Sequence, residues 1–216
     1  MIAILSDIHS DLESLIAAFD ALAKENISDI YCTGDLVEFP EAANELICLL
    51  QQNKVKCVMG NNDDSYLEQL TYSGCDPEED SLTEFPAEEI TSESLDFLEQ
   101  LPAYLSEEGI YLVHALPPDS FLKYIDYQSE TALIKAFASF NQSIAFVGHT
   151  HEYKIYELTN SGEIQKYSFT DKAFDLNQDS RYIINAGSLG RPRDLENEAG
   201  FVLYDPDNNQ VIRKLL

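Results

Sequence analysis

The first sixty residues alternate between short apolar runs and longer segments in which apolar residues recur at helical spacing. The runs at 1–6, 29–34 and 54–60 resemble strands, and the segments 11–25 and 40–53 have the spacing of amphipathic helices. Strand–helix–strand alternation with short links predicts parallel pairing and right-handed crossovers. The chain is therefore predicted to have an α/β fold whose first half is a parallel sheet.

The second half begins in the same way and then changes character. The runs 109–115 and 143–148 are strand-like, with a helical segment at 129–140 between them. From residue 152 to the end, alternating segments separated by turn-rich sequences indicate β-hairpins, which we expect to form a second sheet. The whole pattern predicts a core of two β layers flanked by helices.

We expect residues 1–216 to form a single domain with an acidic insertion around residues 71–100. Residues 71–94 carry Pro77 and Pro86 and lack clear periodicity, so a surface loop is predicted there. A lid over a binding site is the alternative, because long loops in compact domains are often functional. Helical spacing resumes at 92–102.

The formal net charge of −26 restricts the kinds of partner. So acidic a surface repels polyphosphate backbones and anionic lipid, which argues against binding to nucleic acid or to a membrane. No apolar run is long enough to span a bilayer, and the N-terminus does not resemble a signal peptide. The four cysteines form no CxxC pair, which predicts a reduced, cytoplasmic protein without a structural zinc site. The oligomeric state is open, and a homodimer is one option.

Five apolar strand-like runs each end in residues that commonly bind metals. Ligands gather at the carboxyl ends of strands in open α/β sheets, so we expect these residues to share one crevice if the strands lie side by side. They include every histidine of the chain, and they are Asp7, His9, Asp35, Asn61, Asn62, Asp63, His114, His149 and His151.

Each of these residues alone has an ordinary structural explanation. A histidine at a strand end is usually a buried or surface residue with a hydrogen-bond partner, and an aspartate after glycine is usually a turn or cap residue. All four histidines at such ends, with aspartates and an asparagine, instead indicate a metal site of the kind that suits zinc, manganese or iron. The donors are too many for one tetrahedral ion. They suit two ions about 3.5–4 Å apart that share a bridging carboxylate, as in hydrolytic two-metal centres.

The ordered motifs Asp7-x-His9, Gly34-Asp35, Gly60-Asn61-x-Asp63, His114 and Gly148-His149-Thr150-His151 resemble those of the calcineurin-like metallophosphoesterase superfamily. The segment 185–194, NAGSLGRPRD, resembles one found in its small bacterial and archaeal phosphodiesterase branch, which is related to diadenosine tetraphosphate hydrolases. The resemblance spans nearly the whole chain. It implies a four-layer α/β/β/α sandwich of two mixed sheets flanked by helices.

The resemblance also implies a role for each candidate ligand. Asp35 would bridge two transition-metal ions, with manganese as the leading candidate and iron, zinc or nickel as options. The remaining ligands would be divided between the two ions, with Asp7, His9 and His151 on the first and Asn61, His114 and His149 on the second.

One position departs from the family pattern, which reads Gly-Asn-His followed by Asp or Glu. Here Asn62 stands where the resemblance implies a histidine that stabilises the transition state and protonates the leaving oxygen. An amide can donate a hydrogen bond but cannot act as a general acid near neutral pH. We therefore expect a phosphodiesterase or phosphoanhydride hydrolase that prefers good leaving groups, such as those of dinucleoside polyphosphates.

Several further roles are open from sequence alone. Arg191 and Arg193 could bind a substrate phosphate, with Arg191 favoured, or could pair with nearby surface acids. Asp63 is expected to orient a ligand, with a helix N-cap role as the alternative. A few tyrosines and a phenylalanine after the predicted ligands could stack on an adenine, although ordinary packing is the favoured explanation for each: Tyr66, Tyr72, Phe85, Tyr124 and Tyr127.

Two other functions compete with the diesterase. A phosphomonoesterase or protein phosphatase would differ in its substrate. The asparagine at position 62 in place of a histidine, together with the acidic surface, argues against it. A non-catalytic scaffold of the same fold should have lost ligands, whereas this chain keeps the whole set. We expect the substrate to be a small anionic phosphoester or nucleotide.

Overall fold

The computed structural model describes residues 1–39, 42–73, 90–107, 109–169, 173–193 and 198–216. Within these ranges the helices are α1 (Leu12–Lys24), α2 (Ala43–Gln52), α3 (Asn61–Ser73), α4 (Ser92–Glu99) and α5 (Glu130–Phe137). The strands are β1 (Ile2–Leu5), β2 (Ile30–Cys32), β3 (Lys56–Cys57), β4 (Tyr104–Ser106), β5 (Ile110–Val113), β6 (Ile144–Val147), β7 (Tyr153–Leu158), β8 (Ile164–Ser168), β9 (Phe174–Asp175), β10 (Arg181–Ala186), β11 (Gly200–Asp205) and β12 (Gln210–Leu215).

The strands form two mixed sheets of six strands each. The first has the order β3–β2–β1–β11–β12–β9, and the second has the order β4–β5–β6–β10–β7–β8. Strands β1, β2 and β3 pair in parallel, as the alternation of the first half predicts. In the second sheet β5, β6 and β10 are parallel, and β4, β7 and β8 run antiparallel to their neighbours.

Both sheets are covered on both faces, and this explains why several strands read as nearly continuous apolar runs. Along β1, Ala3 and Leu5 pack with the helices on the outer face, while Ile4 packs between the sheets. Along β6, Phe146 lies between the sheets and Val147 packs on the α5 side. The fold is therefore a four-layer α/β/β/α sandwich, as the sequence resemblance implies.

Two details of the predicted architecture are wrong. The C-terminal hairpins do not form a sheet of their own, because β7–β8 extends the second sheet whereas β11–β12 adds to the edge of β1 in the first. The five ligand-bearing strands are likewise divided, with β1, β2 and β3 in one sheet and β5 and β6 in the other. Strand pairing over such sequence distances leaves no local periodicity, so the pattern could not reveal it.

The region predicted as a loop is partly helical. Helix α3 extends through residue 73 and α4 begins at Ser92, with Thr91 as its N-cap. The rest of the predicted loop, residues 74–89, lies outside the described residues, so the choice between surface loop and lid stays a prediction. Among the described residues, no helix is both long enough and apolar enough to cross a membrane.

Candidate metal centre

The carboxyl ends of five strands from the two sheets meet at one end of the sandwich. Each end turns sharply after the strand, and five of the candidate ligands at these turns have a positive φ without being glycine. The left-handed conformation costs a non-glycine residue about 1 kcal/mol or more, so it is found chiefly where a site requires a side chain to point in an unusual direction. The five residues, with φ between 50° and 69°, are Asp7, His9, Asp35, His149 and His151.

Asp7, His9, Asp35 and His151 form one buried cluster. His151 Nε2 lies 3.1 Å from Asp7 Oδ1 and also 3.1 Å from His9 Nε2. His9 Nε2 is 3.6 Å from Asp35 Oδ2. Two imidazole nitrogens and two carboxylates thus converge on a single point.

A second cluster lies on the other side of Asp35. His114 Nε2 is 3.5 Å from Asp35 Oδ1, 3.2 Å from His149 Nδ1 and 3.1 Å from Asn61 Oδ1. The two oxygens of Asp35 therefore face different clusters, Oδ2 toward His9 and Oδ1 toward His114. This is the arrangement that a bridging carboxylate requires.

Groups behind the histidines set which nitrogen carries the proton. His114 Nδ1 lies 2.9 Å from the Thr33 carbonyl, and His151 Nδ1 lies 2.6 Å from the Arg191 carbonyl. A carbonyl only accepts, so each Nδ1 donates and, in the neutral ring, each Nε2 presents a lone pair to the clusters. His9 Nδ1 lies 3.1 Å from Glu38 Oε2, but this contact lacks the geometry of a hydrogen bond.

These donors fit divalent cations. Imidazole lone pairs, carboxylates and an amide oxygen are all acceptors, so they cannot satisfy one another and a cation is the natural partner for the whole set. Neither cluster contains a cysteine, so all of the candidate donor atoms are nitrogen and oxygen. Such donors suit divalent transition-metal ions. Two ions that share Asp35 account for both clusters.

Burial and charge adjust the protonation of these groups. Burial, together with the charge of the neighbouring His114, lowers the pKa of His149 to about 4, so His149 is neutral at pH 7. Burial would raise the pKa of Asp7, but its contact with His151 and the positive charge that the histidines carry when protonated outweigh it and hold this pKa well below its usual range. A neutral imidazole beside an ionised carboxylate is the state that binds a cation.

Asn62 and Asp63 lie in the first turn of helix α3 and contact the Asp35 loop. The backbone N–H of Asn62 donates to Asp35 Oδ1 at 2.8 Å, and its side-chain amide donates to Oδ2 at 2.6 Å. Asp63 is fully buried and accepts from the backbone N–H groups of Leu36, Val37 and Gly60 at 2.9–3.0 Å. Burial, with the charge of Asp35, raises the pKa of Asp63 to about 7, and the backbone donors oppose this rise. Asn62 thus orients the Asp35 carboxylate, and Asp63 fixes the loop that follows it.

Arg191 lies at the rim of the site and is already paired. Its Nη1 is 2.7 Å from Glu38 Oε1, and its guanidinium stands over the Phe39 ring at 5.5 Å. Glu38 therefore connects Arg191 to His9. Two of the nearby surface acids with which the arginines could pair, Asp194 and Glu196, lie outside the described residues. The backbone N–H of Arg193 donates to the His151 carbonyl.

The segment 185–193 supports the ligand loops, a role that the sequence pattern did not reveal. The buried Asn185 amide donates to the Gly148 carbonyl at 2.7 Å and to Thr150 Oγ1 at 2.9 Å. Ser188 Oγ donates to the Asp7 carbonyl at 2.7 Å. These bonds bind the end of β10 to the loops after β1 and β6. The signal in the sequence that could have revealed this role is an asparagine at the end of an apolar strand-like run.

Only some of the candidate aromatic residues lie where they could reach the centre. The ring centroids of Tyr124 and His149 are 4.1 Å apart, and those of Tyr124 and Tyr127 are 5.7 Å apart. Tyr66 is buried in the core under the helices of the first sheet. The side chain of Tyr72 and all of Phe85 lie outside the described part of the chain.

Comparisons with known proteins agree with this geometry. The family model of the calcineurin-like phosphoesterase superfamily domain matches residues 1–209. An uncharacterised protein of Methanocaldococcus jannaschii is 30% identical, over 98% of this chain and 85% of its own. The crystal structure of a metallophosphoesterase from Sphaerobacter thermophilus superposes with a TM-score of 0.81 at 26% identity, over 100% of this chain and 87% of the other. A hypothetical protein from Pyrococcus horikoshii shares the fold, with a TM-score of 0.70, 20% identity and the same coverage.

Proposed function

This chain belongs to the calcineurin-like phosphoesterase superfamily, and on that basis we propose that it hydrolyses phosphodiesters or phosphoanhydrides with the help of two divalent metal ions. The observation that carries the proposal is the pair of clusters that share Asp35. An isolated metal site needs only one cluster. Two clusters on one carboxylate suit a substrate whose phosphoryl oxygens must be held from two sides.

Each ligand has a proposed role in this centre. Asp35 would be shared by both ions, and manganese is the leading candidate for the metal. One ion would be held by Asp7, His9 and His151, and the other by Asn61, His114 and His149.

When bound, such ions withdraw charge from the phosphoryl oxygens and make a water molecule nucleophilic. The side chains of the protein position the groups around the reaction. Asn62 donates two hydrogen bonds to Asp35 and so fixes its orientation. Arg191, which is 43% exposed beside the clusters, is placed to contact a substrate phosphate if it exchanges Glu38 for that anion.

The chemistry of Asn62 narrows the substrate class. Hydrolysis breaks the bond between phosphorus and the leaving oxygen, which departs as an anion unless a proton reaches it. Asn62 has no acidic proton to give, so the reaction should favour leaving groups that are stable as anions. A nucleotide that leaves from a phosphoanhydride is such a group, which makes dinucleoside polyphosphates the leading candidates.

We further propose that residues 1–216 form one cytoplasmic domain with an insertion around residues 71–100. The match of the family model to residues 1–209 supports the domain proposal. The location rests on the buried, unpaired thiols of Cys32 and Cys57. Their reduced state is typical of proteins inside the cell.

A metal-reconstituted activity panel tests the proposed reaction. The purified protein is stripped with a chelator, reloaded with Mn, Fe, Zn, Ni or Mg, and assayed against dinucleoside polyphosphates, cyclic nucleotides, aryl diesters and alkyl monoesters. We expect hydrolysis of the anhydride and the aryl diester to return with a transition metal. Asp35→Asn is the control and should remove this activity.

Two results would contradict the proposal. Brisk hydrolysis of alkyl monoesters, with none of the dinucleoside polyphosphate or the aryl diester, would assign the protein to the phosphomonoesterases. Stoichiometric metal binding without hydrolysis of any member of the panel would favour the non-catalytic scaffold.

A further inference from the structure

We propose that the turn carrying Tyr124 and Tyr127 is a stacking platform for the nucleobase of a nucleoside phosphate substrate. This inference rests on the proposed function and adds to it a binding site for the base. Its starting point is a pair of tyrosines that reaches from the metal centre to the protein surface. The Tyr124 ring contacts the ring of the candidate ligand His149. The centroid of the Tyr127 ring lies 5.7 Å from that of Tyr124, and the two tyrosine rings are tilted by 50°.

Two large hydrophobic side chains in or near this turn are unusually exposed to solvent. Tyr127 is 84% exposed and Leu122 is 66% exposed, the largest exposed fractions among the big hydrophobic side chains of the described residues. Exposed apolar groups that cluster beside a functional site typically mark a surface that contacts a ligand. Tyrosine is well suited to such a surface, because its ring stacks while its hydroxyl stays hydrated.

The backbone that carries these rings is fixed to the fold. Between the tyrosines, Ile125 is buried and Asp126 accepts hydrogen bonds from the hydroxyl of Tyr156 and, at 3.1 Å, from the ammonium of Lys154. Both of those partners belong to β7. An anchored aromatic side chain loses little conformational freedom when a ring stacks on it, so it binds better than a ring on a loose loop.

The charge of the protein gives such a platform a purpose. With a net charge of −26, the surface as a whole repels an anionic nucleotide. A stacking contact is neutral, so its attraction is not weakened by that field. Stacking of one base on an aromatic side chain contributes about 1–3 kcal/mol. The metal centre would hold the phosphates while the platform holds the base.

A fluorescent variant tests this arrangement directly. The sequence contains no tryptophan, so Tyr127→Trp would place a single reporter on the platform and keep an aromatic surface. In metal-loaded protein we expect saturable quenching by adenosine diphosphate but not by ribose 5-phosphate or pyrophosphate. Ile134→Trp, at a 40% exposed position on α5, is the matched control and should not respond.

Removal of the ring should weaken binding. Calorimetry should show that Tyr127→Ala binds adenosine diphosphate about tenfold more weakly, which corresponds to about 1.4 kcal/mol. Tyr127→Phe should restore the affinity, because stacking needs the ring and not the hydroxyl.

The outcomes separate this inference from the function on which it rests. If dinucleoside polyphosphates are hydrolysed while Tyr127→Trp gives no quenching and Tyr127→Ala keeps its affinity, the platform is refuted and the hydrolase stands. Quenching in a protein that hydrolyses no phosphoester would keep the platform and refute the hydrolase. A change of oligomeric state in Tyr127→Ala, with unchanged nucleotide affinity, would assign the exposed rings to a subunit contact instead and overturn the inference.

Discussion

At the scale of single residues, Asn62 connects the structure most directly to reaction specificity. It lies in the first turn of helix α3, and its side-chain amide donates to Asp35. The same side chain cannot hold a carboxylate in place and supply a proton to a leaving group, since an amide has no proton to release near neutral pH. Orientation of the Asp35 carboxylate is therefore the role that its contacts support.

We predict that Asn62→His raises turnover on alkyl phosphate esters by about tenfold or more, because general acid catalysis contributes about 10²–10⁴-fold where the leaving group is poor. Turnover on dinucleoside polyphosphates should change much less. Steady-state kinetics of the metal-loaded variant on both substrates measures the difference. Asn62→Ala removes the amide without adding an acid and should slow both reactions. Equal gains on both substrates in the histidine variant would count against the argument from proton donation.

Sequence reasoning at this scale located residues better than it located their partners. It identified Asp7, His9 and Asp35 as candidates because each follows an apolar run, and such ends can be read locally. It did not find Glu38, which lies three residues after Asp35 and contacts His9 across the chain turn. A glutamate in an acidic sequence carries no local signal, and its contact depends on the path of two loops that meet only in the folded protein.

At the scale of elements, the centre depends on turns that approach one another without a side chain between them. Gly148 ends β6 beside the loop after β1, and a Cβ at this position would collide with Ser6 Oγ and with Asp7 Oδ2. The backbone N–H of His149 donates to the same carboxylate at 3.0 Å. Two strand ends from different sheets are thus held at hydrogen-bond distance.

We expect Gly148→Ala to push Asp7 away from His151 and to destabilise the protein by about 1–3 kcal/mol, as overpacking of a buried site does. Metal affinity should fall with it, as measured by calorimetric titration of the chelator-treated protein. Gly162→Ala is the control. Its Cβ would meet open space, although its φ of +85° makes alanine unfavourable there. Metal affinity as high in Gly148→Ala as in Gly162→Ala would show that the close approach is not required.

Helix α3 shows why elements were harder to predict than ligands. The motif at residues 60–63 follows a strand, and its polar residues read as a strand end, whereas the structure begins a helix at Asn61. Several of the next residues are polar or acidic, so the apolar spacing that predicted α1 and α2 is weak here. The hydrogen bonds from Leu36, Val37 and Gly60 to Asp63 instead stabilise the start of this helix.

At the scale of the whole molecule, a chain with a large net negative charge also buries three aspartates at one end of the fold. Asp7, Asp35 and Asp63 are each at most 1% exposed, within a chain of net charge −26. Mutual repulsion of carboxylates in such a place opposes folding, and bound cations would remove it. Metal binding and folding stability should therefore be coupled.

Mn²⁺ at about 100 times its dissociation constant should stabilise the chelator-treated protein by about 2.7 kcal/mol. For a chain of this length, that corresponds to a rise in melting temperature of about 5–10 °C. NaCl at matched ionic strength controls for simple screening of the acidic surface. In calorimetric scans Asp35→Asn should gain less from Mn²⁺ than the unaltered protein does. Identical gains in the two proteins would place the bound metal elsewhere.

The overall architecture was predictable because two kinds of pattern agree. The alternation of the first half predicts parallel strands, and the ordered motifs imply a layered sandwich. The division of strands between the sheets was not predictable, because β11 joins β1 over nearly two hundred residues of chain. Such a pairing is decided by packing in the complete fold.

The left-handed backbone at Asp7, His9, Asp35, His149 and His151 has a consequence for protein engineering. Glycine would relieve the torsional cost at each of these positions but would remove a donor side chain. A glycine variant could therefore fold more stably while it loses affinity for cations. Stability gained at the expense of binding is the signature of backbone strain that serves a site.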